Sequence, residues 1–144
     1  MRPIHQDIFK VVDAALSAGY RHIDTAVAYN NHQSLARALA VLLPEHNLTR
    51  QDIFITSKIP VWNQDPSWPS LADCHRGLQV TQPKVLLCYT RTLLQTILAE
   101  LQTEYLDLLL IHSPPNTEDQ RNKAWKCLEQ FYEEGKAKAI GNIM

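Results

Sequence analysis

Tyr105-Leu106-Asp107-Leu108-Leu109-Leu110-Ile111-His112 is the stretch that decides the fold. From Leu106 to Ile111 it is almost unbroken in apolar residues. That is the pattern of a strand buried on both faces, and such strands belong to parallel sheets covered by helices. Downstream, Pro114 and Pro115 break the strand, and Thr117 with Gln120 makes a capping box. The helix they open should carry Trp125, Leu128, Phe131 and Tyr132 inward. Gly135 ends it, and Ala137-Lys138-Ala139-Ile140 starts another strand. Upstream, Leu93, Leu94, Ile97, Leu98 and Leu101 form a helical stripe.

Towards the N-terminus the alternation continues. Ile53-Phe54-Ile55-Thr56-Ser57 is short and rich in β-formers, a strand, although Thr49 and Asp52 before it loosely resemble a capping pair. Leu35, Ala38, Leu39, Leu42 and Leu43 share one face of a helix that Pro44 should end. Arg21 to Thr25 reads as a strand. The helix before it carries Ile4, Ile8, Val11, Val12, Ala15 and Leu16, and Gly19 stops it. From Pro60 to about Thr90, Pro60, Pro66, Pro69 and Pro83 punctuate the chain around Trp62 and Trp68, and no period survives.

An α-β-α-β-α-β-α-β order implies a parallel sheet with right-handed crossovers. Ile53 follows His22 by 31 residues, and Ala137 follows Leu106 by 31. Leu106 follows Ile53 by 53, so the middle unit carries about 22 extra residues, all in the proline-rich excursion.

The 144 residues suit one globular domain, and a 45% hydrophobic content supports a core. A complete (β/α)8 barrel takes roughly 200 residues at least and usually ~250. A net charge of −1 points to no nucleic-acid or anionic-membrane partner. No apolar run approaches the ~20 residues of a membrane span, and the N-terminus has no signal-peptide core. Three scattered cysteines, Cys74, Cys88 and Cys127, read as reduced thiols of a cytoplasmic protein.

The first three strands end in ionisable groups, Asp24, Lys58 and His112. In parallel α/β folds that end of the sheet faces the ligand. Tyr29, five residues after Asp24, lies in the loop above the same edge. A free tyrosine, with a pKa of about 10, is a weak acid at neutral pH. An adjacent ammonium favours its phenolate, and a carboxylate holds that ammonium in place. A neutral histidine can orient a carbonyl oxygen between itself and the phenol. Together the four can protonate an oxygen as negative charge develops on it, which hydride addition to an aldehyde or ketone requires.

Gly19-Tyr20-Arg21-His22-Ile23-Asp24-Thr25-Ala26, followed by Tyr29 and Asn31, resembles the signature of the aldo-keto reductases. Ile53 to Lys58, Tyr105 to His112 with Pro114, and Gly135 to Gly141 resemble that family's later landmarks in the same order. The resemblance implies a (β/α)8 TIM barrel, here a partial one of about four parallel units with an irregular insertion near 60–90, spread over 1–144 as a single domain. It implies an NADP(H)-dependent oxidoreductase of the alcohol dehydrogenase (NADP+) type acting on small carbonyl substrates. It places the catalytic tetrad on Asp24, Tyr29, Lys58 and His112, with Tyr29 the proton donor and Asp24 also beside the cofactor.

Set against the family's pattern, the first barrel strand and the cofactor-gripping C-terminal half are expected to be missing. His32 stands where an acidic or amide residue is preferred, and Ala36 where Gly or Ser is. A four-stranded sheet leaves two open edges. Self-association through them is therefore expected, and a non-catalytic truncated barrel acting as an interaction module is the alternative reading. Cys74, His75 and Cys88 match no zinc spacing, and no G-x-G-x-x-G or P-loop is present.

Overall fold

The computed structural model describes residues 4–59, 82–113 and 118–143. Among these residues four helices and four strands alternate as expected: α1 (Ile4–Ser17), β1 (His22–Asp24), α2 (His32–Glu45), β2 (Phe54–Ile59), α3 (Gln82–Leu101), β3 (Leu108–Ile111), α4 (Glu118–Glu133) and β4 (Ile140–Asn142). The strands form one sheet in the order β1-β2-β3-β4, every pair parallel. Leu106 and Ala137 add an isolated parallel bridge before β3 and β4 proper, so the last strand begins later than Ala137.

The helices cover one face of the sheet. Ile55, Ile59, Leu109 and Ile111 point into them and meet Val12, Leu16, Leu35, Leu39, Leu42, Leu94, Ile97, Leu128 and Phe131 in a single core. The alternate residues point the other way, and there Phe54 is exposed while Leu108 and Leu110 are only half-buried. The apolar run at β3 is therefore buried on one face and not on both, because among the described residues no helix packs on the second. On α4 the inward side is Ala124, Cys127, Leu128 and Phe131. Trp125 and Tyr132 point outward, since the i, i+3, i+4, i+7 stripe admits only one side of the helix.

Residues 60–81 lie outside the described residues, but Gln82 to Thr90 are the first half of α3 and not part of an irregular excursion. Pro83 sits in the first turn, where the missing N–H has no intrahelical partner to lose. Thr117 also lies outside the described residues. Thr49 and Asp52 do form a capping pair, the Asp52 carboxylate accepting from Thr49 N–H and hydroxyl at 2.7 Å each, and it opens a single 3₁₀ turn over Arg50–Asp52 before β2.

All four described helices end in one way. A residue with left-handed φ follows each: Gly19 (88°), Asn47 (55°), Gln102 (52°) and Gly135 (69°). Its N–H returns to the carbonyl three residues back, and the next N–H reaches five back, as in Tyr20 N–H to Ala15 O at 2.9 Å and Thr103 N–H to Leu98 O at 3.1 Å. This is the Schellman motif. Pro44 accordingly does not end α2. The helix runs on through Glu45 and is closed by Asn47, because a proline disrupts the turn before it and leaves the turn after it free to form.

At the N-terminal end of the strands, Asp107 accepts from Ile55 N–H at 3.0 Å, Arg50 at 2.8 Å and Lys138 at 3.2 Å. Burial opposes ionisation of Asp107, but these donors outweigh it and hold its carboxyl below the usual range. Arg50 also bonds the carbonyls of Ile53 and Tyr105, which ties the loops before β2 and β3 together.

His32 opens α2 and is 2% exposed. Its Nδ1 is 3.2 Å from Glu100 Oε2 on α3 and its Nε2 is 3.0 Å from Ser57 Oγ on β2. A carboxylate only accepts, so Nδ1–H donates to Glu100 and the Ser57 hydroxyl donates to Nε2. Burial pushes the imidazole below its ordinary value, and Glu100 only partly offsets this.

The unfolded chain binds a proton at His32 up to about pH 6.5, and the folded chain resists it. The unfolded state therefore holds more protons below that pH, and this contribution to stability is lost as pH falls from about 6.5 toward the depressed folded value. Urea midpoints measured across pH should show that loss in the parent chain and lack it in His32→Gln; equal slopes would contradict it. Gln102 is exposed and carries a backbone that glycine adopts without the ~1–2 kcal/mol side-chain penalty. Gln102→Gly should raise stability by about 1 kcal/mol, read from the same denaturation curves.

Candidate active site

The parallel register puts the carboxyl ends of the strands at one rim. Asp24 pairs with Thr56, Lys58 with Leu110 and Ile59 with Ile111. Asp24 is the last residue of β1, and His112 follows β3 directly, its N–H bonded to Ile59 O at 2.9 Å. Lys58 lies inside β2, one residue short of its end, because the ladder to β3 runs on to Ile59.

Lys58 is 4% exposed. Its Nζ donates to Asp24 Oδ1 in an ion pair and to the carbonyl of Thr25 at 3.0 Å. Among the described residues these are its two hydrogen-bond partners, so one of its three N–H donors remains. The same Nζ stands over the Tyr29 ring, 5.1 Å from the centroid. Tyr29 in turn meets His112 edge to face, with centroids 5.9 Å apart and ring planes at 89°. All four side chains named from the sequence thus converge on the rim.

Tyr29 reaches that place through a 3₁₀ turn, Val27–Tyr29, entered from the fully buried, extended Ala26 and left through Asn30 at φ 47°. Asparagine tolerates that conformation better than other side chains. The turn leaves Tyr29 49% exposed at the rim. Thr25, 1% exposed, donates its hydroxyl to Asn31 Oδ1 at 2.6 Å and so holds the far end of the same turn.

Sequence reasoning missed two parts of this arrangement. One is the Thr25 carbonyl, a backbone acceptor that no residue-type pattern can show. The other is the line from Ser57 through His32 to Glu100 behind Lys58; its one visible trace was the unusual His32. A third contact, His22 Nε2 to Thr56 Oγ1 at 2.8 Å, lies deeper on the same open face.

Among the described residues no three His, Cys, Asp or Glu side chains gather as a metal cage. Cys74, His75 and the Cys88 side chain lie outside the described residues. No helix among the described residues is long and apolar enough to cross a membrane.

Comparison with known proteins agrees with this geometry. A sequence model of the Aldo/keto reductase family matches residues 3–142. An uncharacterized oxidoreductase, YtbE, of Bacillus subtilis (strain 168) is 36% identical over 137 residues, which are 94% of this chain and 40% of that protein. The glyoxal reductase of the same organism is 36% identical over 130 residues, 90% of this chain and 37% of its own length. The crystal structure of an aldo/keto reductase from Brucella melitensis superposes with a TM-score of 0.69 at 32% identity, over 96% of this chain and 44% of that one. The chain therefore spans about two-fifths of these relatives, and its four β/α units are part of a TIM-barrel architecture. On its strand order and these matches, the chain belongs to the aldo/keto reductase family.

Proposed function

We propose that the rim formed by Asp24, Tyr29, Lys58 and His112 carries out the proton half of an NADPH-dependent reduction of small aldehydes or ketones. The observation that supports this best is the buried ammonium of Lys58, held by Asp24 and Thr25 O and facing the Tyr29 ring. A cation kept there favours the phenolate that Tyr29 becomes on giving up its proton. Tyr29 is exposed enough to meet a substrate, and His112 beside it can donate a hydrogen bond that orients the same carbonyl oxygen. Asp24 keeps the ammonium in position.

A reduced nicotinamide, when bound, supplies the hydride. With His112 neutral the four side chains carry no net charge, since Asp24 balances Lys58. They therefore suit the reacting end of such a cofactor, with Asp24, Tyr29 and Lys58 around it, and offer nothing to its phosphates. Small dicarbonyls such as glyoxal are the substrate class we favour, from the likeness to a glyoxal reductase. The buried, unpaired Cys127 suits the reducing cytosol we assign to it.

A second reading rests on the sheet itself. Among the described residues β1 and β4 are each paired on one side only, and Phe54 is 40% exposed on the uncovered face. Open parallel edges invite another copy of the chain.

Two measurements test these readings. Glyoxal reduction followed by loss of NADPH absorbance should fall about 10²–10⁴-fold in Tyr29→Phe. Lys58→Met should fall similarly with the fold intact by circular dichroism. Undiminished turnover in Tyr29→Phe would remove the proton-donor role. Sedimentation of the purified chain should show association that grows with concentration; a monomer at every concentration would dismiss the second reading.

A further inference from the structure

Tyr29 occupies a single 3₁₀ turn and is half exposed, so it has little packing of its own to hold it. Its position is inherited from what anchors the chain on either side. Before it, Thr25 ends the strand region, accepting from Lys58 through its carbonyl. After it, Asn31 and His32 begin α2. Asn31 is tied back to the Thr25 hydroxyl, and His32 is tied to Ser57, the residue preceding Lys58, and to Glu100 on α3. Thr25, Ser57 and His32 are all but fully buried.

We infer that His32 is a positioning residue for Tyr29: the Ser57–His32–Glu100 line fixes where α2 starts on β2 and α3, and so holds the Tyr29 ring over Lys58 and against His112. The line has the order of donors seen in nucleophilic triads, but Ser57 has no exposed surface and no substrate can reach it, so it acts as a clamp. Gln33 adds a second contact to Glu100 at 3.5 Å, which steadies the acid end. A clamp of this kind works because His32 both donates, to Glu100, and accepts, from Ser57, so losing either partner leaves a buried imidazole nitrogen unpaired and losing His32 leaves the buried Ser57 hydroxyl unpaired. The catalytic consequence rests on the proton-donor role proposed for Tyr29; the positioning itself does not.

The test is NMR of the full chain in two variants. His32→Gln keeps one donor and one acceptor, whereas His32→Leu keeps comparable bulk and neither. His32→Leu should lose the nuclear Overhauser contacts between the Tyr29 and His112 rings and shift the Tyr29 resonances. His32→Gln should retain both. The Trp125 indole signal on α4, outside the network, should stay unchanged in each and report an intact fold. A folded His32→Leu chain that keeps the Tyr29–His112 contacts overturns the inference. Should that variant not fold, Ser57→Ala, which removes only the hydroxyl that donates to His32, carries the same expectation and the same overturning result. A chain that reduced no carbonyl yet showed these contacts would count against the proton-donor role and leave the clamp standing.

Discussion

A lysine ammonium held out of water at the end of a parallel strand is the constraint around which the rim is built. Leaving such a charge unmatched costs several kcal/mol, so its surroundings must supply acceptors at fixed positions. Here one comes from the last residue of the neighbouring strand, Asp24, and one from the backbone of the next residue, Thr25. Both depend on the β1–β2 register, in which Asp24 lies opposite Thr56. A slip of one residue would turn Lys58 toward the helices and Ser57 toward the rim.

The two sides of β2 are thus matched to different tasks. Toward the helices, Ile55 and Ile59 fill the core and Ser57 donates to His32. Toward the open face, Thr56 and Lys58 are buried by their neighbours while Phe54 is partly bare. Among the described residues, burial of the polar side chains on that face is supplied by β1, β3 and the Tyr29 turn, not by a helix. The turn is consequently the least secured part of the rim, which is why the contacts just beyond it, at Asn31 and His32, matter to the position of Tyr29.

At the opposite end of the strands Asp107 binds Ile55 N–H, Arg50 and Lys138. That cluster joins the loops that enter β2 and β3. One end of the sheet therefore spends its charges on structure, and the other presents an exposed tyrosine beside a held cation. This division follows from parallel pairing, which places all strand ends of one kind on one side.

The alternation of elements, the parallel sheet and the four rim residues could all be read from the chain, because periodicity and strand-end residue types are local properties. Gly19 and Gly135 announced two helix ends for the same reason, whereas Asn47 and Gln102 make the same motif without announcing it. Three further readings failed. Leu106 to Ile111 was apolar enough for two buried faces, but only packing decides how many helices cover a sheet. Trp125 and Tyr132 fit an apolar stripe wider than the side of α4 that meets α3. Gln82 to Thr90 became helix despite Pro83, since a first-turn proline leaves the helix whole. The sequence determined which side chains meet at the rim. Only the tertiary structure decided that Thr25 O and Asp24 share one ammonium, and that His32 joins Ser57 to Glu100, because those partners lie 25 to 68 residues apart and meet only when the strands are in register.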